Sequence, residues 1–180
     1  SPSQLPCFCE WVGVFLLFLL TDISNFLIAA LVILLAAAAY TDLSRFTISN
    51  RLNIAVLGLG LAYQALVPAG LPMALLVAGG VFAAAAVLFF FNLLGGGDVK
   101  LLAAVALWAG PTETMPFLLH TVLFGGALSI IWMMSGRVRL MLAFVGLDIN
   151  PKVPNQIPYG IAIAAAGGLL AVRLLGMQTA

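Results

Sequence analysis

Long apolar stretches separated by short polar stretches dominate the sequence. A membrane-spanning helix needs about 20 predominantly apolar residues, and a backbone that crosses lipid must satisfy its own hydrogen bonds. Six stretches meet or approach this length, the fourth by continuing toward Thr114: residues 23–40, 52–67, 72–94, 101–109, 117–134 and 157–175. The pattern predicts an all-α fold, a polytopic membrane bundle of about six transmembrane helices.

The composition supports the same class of protein. Hydrophobic residues make up 64% of the 180 residues and charged residues only 7%, whereas soluble domains carry about 25% charged residues. The formal net charge of +1 gives no basic surface of the kind that nucleic-acid binding requires. We therefore expect contact with membrane lipids and no nucleic-acid partner.

The start of the chain is harder to assign. Residues 11–20 are apolar but too short to span a membrane, and polar residues from Asp22 to Asn25 follow them. No positively charged segment precedes them, so they do not resemble a signal peptide. We expect residues 1–22 to be an N-terminal extension, interfacial, re-entrant or extending helix one, and residues 23–180 to be the membrane-embedded domain. The alternative is a seventh crossing by residues 11–20, which would place the N-terminus in the cytoplasm.

The cations predict an orientation, because cytoplasmic loops carry an excess of lysine and arginine. In the six-helix arrangement one side holds nearly all of them, and only Arg173 lies near the other face. The cations of the first side are Arg45, Arg51, Lys100, Arg137, Arg139 and Lys152. This side is predicted to be cytoplasmic, which places both termini outside.

Two aspartates lie at the ends of apolar stretches. Asp42 closes the first stretch, and Asp98 follows Gly95, Gly96 and Gly97 and opens the fourth. Two predicted crossings separate them, so both carboxyls are expected at the same cytoplasmic face. An ionisable residue at a bilayer is costly and points to a functional site.

The glycines before Asp98 allow two interpretations. They can end one helix with unusual backbone angles while Asp98 caps the next helix. Alternatively, they allow the backbone to approach a substrate or the partner carboxyl closely. The two interpretations are compatible.

Two carboxyls a few ångströms apart cannot both ionise easily, so they share a proton. The ionised member can deprotonate a water that attacks a peptide carbonyl, and the protonated member can hydrogen-bond the carbonyl oxygen. This chemistry needs no metal and no cofactor. The sequence leaves open which aspartate is the base.

Other kinds of catalytic site find little support. His120 is the one histidine and falls in the outer half of the fifth stretch, away from the aspartates, so a structural or interfacial role is expected. Cys7 and Cys9 form a C-x-C pair, which lacks the four-ligand spacing of a zinc site.

Three motifs occur at the ends of the predicted helices. Gly95-Gly96-Gly97-Asp98-Val99-Lys100 resembles the G-x-G-D-x-K signature of type IV prepilin peptidases, the bacterial GxGD membrane aspartyl proteases. Thr41-Asp42-Leu43 with Ile48-Ser49-Asn50-Arg51-Leu52 is similar to that family's first aspartate and I-P-N-x-L, with serine in place of proline. Residues 157–162 resemble the P-Y-x-x-A stretch that opens its last helix. The resemblance covers about residues 38–168.

The resemblance implies a leader peptidase of the bacterial inner membrane that cleaves prepilin or pseudopilin precursors at the cytoplasmic face. Asp42 and Asp98 correspond to its catalytic pair. The residues expected to bind substrate or support the site are Gly95, Gly97, Lys100, Asn50, Pro158 and Tyr159. Larger members carry paired C-x-x-C motifs in a methylating domain, which this sequence lacks. The resemblance therefore implies the compact Tad/Flp-pilus type without N-methylation.

Other interpretations remain for some of these residues. Asn50 can order the first loop or be solvated, and a solvated position is favoured for Asn53. Pro158 fits an ordinary first helical turn, and Tyr159 fits an interfacial belt. Asn92, inside the third apolar stretch, can hydrogen-bond between helices or face the site.

The main alternative function is a proton- or cation-coupled small transporter component that uses the same aspartates. It predicts carboxyls near mid-membrane with broken helices around them. A non-catalytic scaffold, in which the aspartates only cap and pair, is the second alternative. A presenilin-like protease shares G-x-G-D but is expected to have more than six helices.

Overall fold

The computed structural model describes the backbone of residues 8–45, 47–66, 70–144 and 159–179, and the side chains of residues 19–45, 47–66, 70–131 and 159–178. Within these ranges it contains helices and no strand. In chain order they are α1 (Phe8–Arg45), α2 (Asn50–Leu66), α3 (Leu71–Phe90), α4 (Gly96–Phe144) and α5 (Tyr159–Thr179). The all-α prediction is confirmed.

Four helices in the described part of the chain include a segment long and apolar enough to cross a membrane. The segments are Leu19–Arg45, Leu71–Phe90, Gly96–Ile131 and Tyr159–Gln178. Large apolar side chains on them face outward: Phe26 is 73% exposed, and Leu76 and Val122 are each 71% exposed. Soluble monomers rarely expose wide apolar patches, so the chain is a multi-pass membrane protein.

The prediction of about six spanning helices is not confirmed. α2 has only 17 residues, which reach about 26 Å at 1.5 Å per residue and fall short of a 30 Å hydrocarbon core. The predicted fourth and fifth stretches both lie in α4, which is interrupted at Gly110 (φ 59°, ψ −166°). Glycine adopts such a positive φ without steric cost.

Residues 8–22 belong to the same helix as the first predicted span. α1 continues from Phe8 to Arg45, and Asp22 is exposed on its surface. From Phe8 onward the N-terminal extension therefore lengthens helix one. The division of the chain into an extension of residues 1–22 and a domain of residues 23–180 stays a prediction.

The first part of α4 forms the centre of the bundle. Leu101 and Val105 are fully buried, and Trp108 is nearly so. α4 packs against α2, α3 and α5, whereas α1 packs against α5 and α2. In the described residues the backbones of α1 and α4 do not approach each other closely. The position of residues on α1 relative to residues on α4 therefore depends on the helices that pack against both.

The break in α4 is stabilised by a side chain from α2. Pro111 has no N–H to donate to the Leu107 carbonyl, which is its normal helical partner. The buried Gln64 amide donates to that carbonyl at 2.7 Å and to the Trp108 carbonyl at 3.3 Å. Gln64 thus supplies a donor to the Leu107 carbonyl, which Pro111 leaves without its helical partner.

α3 ends earlier than the apolar pattern predicts. Asn92 has a positive φ of 58°, the conformation that commonly terminates helices. Its N–H donates to the Phe89 carbonyl at 2.9 Å, and the Leu93 N–H donates to the Leu88 carbonyl at 3.0 Å. These two bonds form a Schellman motif. Asn92 is exposed, so its role is to end α3, and neither predicted role for it is found.

Candidate active site

The structure brings the two aspartates together at helix ends. Asp42 lies in the last turn of α1, and Asp98 lies in the first turn of α4. Their side chains are only 5% and 8% exposed, and they are close enough for their charges to interact. Oδ2 of Asp42 and Oδ1 of Asp98 are buried and have no hydrogen-bond partner in the described part of the protein. Each carboxyl thus keeps one oxygen free for a water or a substrate.

The other oxygen of Asp98 is used by its own helix. Its Oδ2 accepts a hydrogen bond from the Gly95 N–H at 3.3 Å. Gly95 precedes the first helical residue, and Asp98 is the third, so this is the acidic half of a capping box. The capping interpretation of Asp98 therefore holds for one oxygen and leaves the second oxygen available.

Two of the glycines before Asp98 allow close contacts. A Cβ on Gly95 would lie 2.8 Å from Asp98 Oδ2, and a Cβ on Gly97 would lie 3.1 Å from the Ile48 Cβ and 3.3 Å from its carbonyl oxygen. Gly95 makes room for the carboxyl, and Gly97 makes room for the chain between α1 and α2. Both glycines thus support the site through the space that they leave.

The environment of Asp42 comes from the start of α5. The backbone amides of Gly160 and Ile161 approach the Asp42 carboxyl, although Oδ2 receives no hydrogen bond of normal geometry. Amides in the first turn of a helix have no partner within the helix, and their dipoles favour negative charge. A Cβ on Gly160 would lie only 2.7 Å from Asp42 Oδ2, so α5 can approach this closely only with glycine here.

Two predicted supporting residues bind each other. Lys100 donates to Asn50 Oδ1 at 2.8 Å on the exposed side of the site. The prediction that Asn53 is solvated is wrong. Asn53 is 5% exposed, and its side-chain amide donates to the Gly97 carbonyl at 3.2 Å. Because that carbonyl belongs to the first turn of α4, these bonds attach the start of α2 to the start of α4.

Ser49, which stands where the family's motif has proline, caps α2. Its Oγ accepts the Leu52 N–H at 3.3 Å, and its carbonyl accepts the N–H groups of Leu52 and Asn53 at 3.2 and 3.3 Å. Serine is a favoured N-cap residue. The exchange of proline for serine therefore keeps a defined start for this helix.

The remaining predicted residues lie apart from the carboxyls or outside the described residues. The Tyr159 ring packs against Gly125 of α4, and its hydroxyl is 3.4 Å from Ser129 Oγ. Pro158 lies outside the described residues. His120 Nδ1 is 2.6 Å from the Pro116 carbonyl, which fits its expected structural role.

Sequence reasoning missed Gly160 and Ile48. Both lie in stretches that resemble the family's motifs, but neither has a polar or ionisable side chain, so the chemistry of the side chains gave no reason to choose them as site residues. The available signal for Gly160 was its place in the first turn of the last helix, directly after Tyr159. For Ile48 the signal was its place as the first residue of the stretch similar to I-P-N-x-L, where it is an apolar residue in an otherwise polar loop.

The chemistry that this arrangement supports is that of a carboxyl pair. Among the described residues, no group of three or more histidine, cysteine, aspartate or glutamate side chains could hold a metal ion. Cys7 lies outside the described residues, and the Cys9 side chain is not described. Two buried carboxyls whose charges interact can titrate as a coupled unit, with one member ionised and the other protonated.

Comparison with known proteins identifies the family. The model of the type IV leader peptidase family matches residues 28–130, which is more than half of the chain and includes Asp42, Asp98 and the glycines before Asp98. A search of curated proteins finds no match, and a search of solved structures finds none either. With a match of this length, the chain belongs to the type IV leader peptidase family.

Proposed function

We propose that this protein is a membrane aspartyl endopeptidase that removes the leader peptide from prepilin-like precursors. Membership of the leader peptidase family supports proteolysis of this general kind. The observation that carries the finer proposal is the pair of buried carboxyls, Asp42 and Asp98, each with one free oxygen. Their interaction across two helix ends is what a water-activating pair requires.

The proposed reaction uses both carboxyls and one water. The ionised carboxyl takes a proton from the water, and the resulting hydroxide forms a bond to the carbon of the scissile carbonyl. The protonated carboxyl hydrogen-bonds the carbonyl oxygen, which becomes negatively charged. The carbon–nitrogen bond then breaks as the leaving amine accepts a proton from the pair. No covalent enzyme intermediate forms.

The supporting residues give the pair its geometry. Gly95 and Gly97 provide the close approaches at the start of α4, and the Lys100–Asn50 bond lies at the exposed edge. By family likeness the substrates carry a positively charged leader, a glycine before the cut and an apolar helix after it. Such a helix would lie in the membrane beside the bundle while the cut site reaches the carboxyls.

We also infer the compact Tad/Flp type, active without N-methylation. The only cysteines in this sequence, Cys7 and Cys9, form a C-x-C pair, and no paired C-x-x-C motifs lie between the predicted helices. The site is proposed to face the cytoplasm across the bacterial inner membrane. Arg45 lies at the same end of α1 as Asp42, Lys100 lies at the same end of α4 as Asp98, and Arg51 lies at the start of α2, which follows α1 directly; these positions support this orientation.

The test is co-expression of a pilin-type precursor with the parent protein and with Asp42→Asn and Asp98→Asn variants. Asp22→Asn is a matched control, because Asp22 lies on the same helix as Asp42 and is exposed. Leader removal is followed by gel shift and mass. We expect the parent and Asp22→Asn to cleave and both site variants to be inactive at equal membrane levels. Activity in either site variant would refute the pair mechanism.

A transporter component is the alternative that the same experiment addresses. The structure disfavours it, because the helix break at Gly110 lies twelve residues from Asp98, or about 18 Å along a helix. Transport sites are expected beside such breaks. If the parent fails to cleave any precursor, proton flux in vesicles containing the parent or Asp98→Asn decides for or against transport.

A further inference from the structure

Ile48 connects the starts of two helices. Its backbone lies against α4, since a Cβ on Gly97 would be 3.3 Å from the Ile48 carbonyl oxygen and 3.5 Å from its nitrogen. Its side-chain tip lies against α5, since a Cβ on Gly160 would be 2.9 Å from Ile48 Cδ1. The half-buried side chain also packs against the main apolar core. Ile48 thus fills the space between the first turns of α4 and α5.

Gly160 contacts both this side chain and the Asp42 carboxyl. A Cβ at this position would lie 2.7 Å from Asp42 Oδ2 and 2.9 Å from its Cγ. The Ile48 tip and the Asp42 carboxyl are therefore neighbours over the same glycine. Any side chain at residue 160 would displace one or both of them.

These contacts matter because the two aspartates are on helices whose backbones do not approach each other closely. α1 carries Asp42 and α4 carries Asp98, and among the described residues α5 and α2 each pack against both helices. The relative position of the carboxyls therefore depends on α5, on α2 and on the chain that leads into α2. Ile48 and Gly160 are the points at which that chain and α5 meet.

We propose that Ile48 and Gly160 are positioning residues, which hold the Asp42 carboxyl in place relative to Asp98. They do so because Ile48, which precedes α2, packs against the first turns of α4 and α5, and Gly160 leaves the space for this contact. This inference rests on the proposed peptidase function for its kinetic consequences. Neither residue offers a polar side chain to substrate or water, so both act through Asp42. Displacement of a reacting group by about 1 Å can cost roughly 100-fold in rate.

The kinetic test compares Ile48→Ala and Gly160→Ala with matched controls, using purified protein and a precursor. Ile54→Ala removes the same side chain at a position that is 67% exposed on α2. Gly168→Ala adds a methyl group on α5 where no atom lies within 4 Å. Both site variants are expected to lower kcat about ten- to 100-fold, with KM within about twofold of the parent.

The controls should retain parental kcat, and Ile48→Val should restore most of the activity lost in Ile48→Ala. Alanine is a better helix former than glycine, so a loss in Gly160→Ala cannot come from helix propensity. A rise in KM at unchanged kcat would show that Ile48 contacts substrate, and it would overturn the positioning role. Parental kinetics in both site variants would overturn it as well.

A second measurement is independent of peptidase activity. A hydrophobic carbodiimide modifies accessible carboxylic acids, and mass spectrometry of the digested protein gives the rate at Asp42. We expect Ile48→Ala to raise this rate several-fold and Ile54→Ala to leave it unchanged. Equal rates in the two variants would refute the inference even if the parent cleaves no precursor, and a raised rate would support it in that case.

Discussion

Gly95→Ala tests whether the space beside Asp98 is required for activity. The new Cβ would lie 2.8 Å from Asp98 Oδ2 and 3.7 Å from its Cγ. Contacts under 3.0 Å are essentially never seen for a real Cβ, and ordinary contact begins at 3.4 Å. The carboxyl must therefore move by several tenths of an ångström or rotate away from the Gly95 N–H.

The size of the effect follows from that displacement. A shift of about 1 Å costs roughly 100-fold in rate, so a shift of about half that size should lower kcat about tenfold. This corresponds to about 1.4 kcal/mol of activation free energy. The effect on folding should be smaller, because the variant perturbs one weak capping bond at an exposed glycine.

The neighbouring glycine supplies the control. A Cβ on Gly96 would make an ordinary contact of 3.4 Å with the Phe89 ring, so Gly96→Ala should keep kcat within about twofold of the parent. Both variants are assayed for cleavage of the same precursor in detergent, with thermal unfolding measured in parallel. If Gly95→Ala and Gly96→Ala are equally active, the close approach to Asp98 is not required and the reasoning fails.

Two further predictions concern the helix ends that shape the bundle. Gln64→Leu should lower the free energy of unfolding by about 1–3 kcal/mol, because it leaves the buried Leu107 carbonyl without a donor. Thermal unfolding in detergent measures this change, and an unchanged midpoint would contradict the prediction. Asn92→Val should destabilise by about 1–2 kcal/mol, since valine tolerates the positive φ poorly. Asn92→Gly should be at least as stable as the parent by the same measurement, and equal midpoints for the valine and glycine variants would exclude the αL cap.

Much of the fold was predictable because lipid restricts the backbone to few solutions. The apolar stretches indicated helices, and within its described residues the structure has a helix in each of them, although α3 ends at Phe90 before its stretch does. The number of spans was harder to predict, because it depends on where a helix breaks rather than on where it is apolar. Gly110 and Pro111 marked the break in α4, but the sequence does not show whether the two parts cross separately.

The proximity of the two carboxyls could be predicted because it follows from counting helices between Asp42 and Asp98. Their catalytic role stays a proposal. The residues around them could not be predicted in the same way. Asn53 was expected to be solvated, since the sequence does not reveal that α2 starts against the Gly97 carbonyl. Contacts between residues far apart in the chain decide such roles, and local pattern does not report them.

Backbone amides lie beside both carboxyls, and none of the cations whose side chains are described forms an ion pair with either of them. Lys100, the nearest cation in sequence to Asp98, bonds to Asn50, and Arg173, the cation that does form an ion pair within the described residues, pairs with Glu113. A cation beside the pair would favour full ionisation of both carboxyls. Amides at helix starts offset only part of the cost of burying charge. A pair placed in this way can retain one proton between two carboxyls, which is the state that activation of a water by one and donation by the other requires.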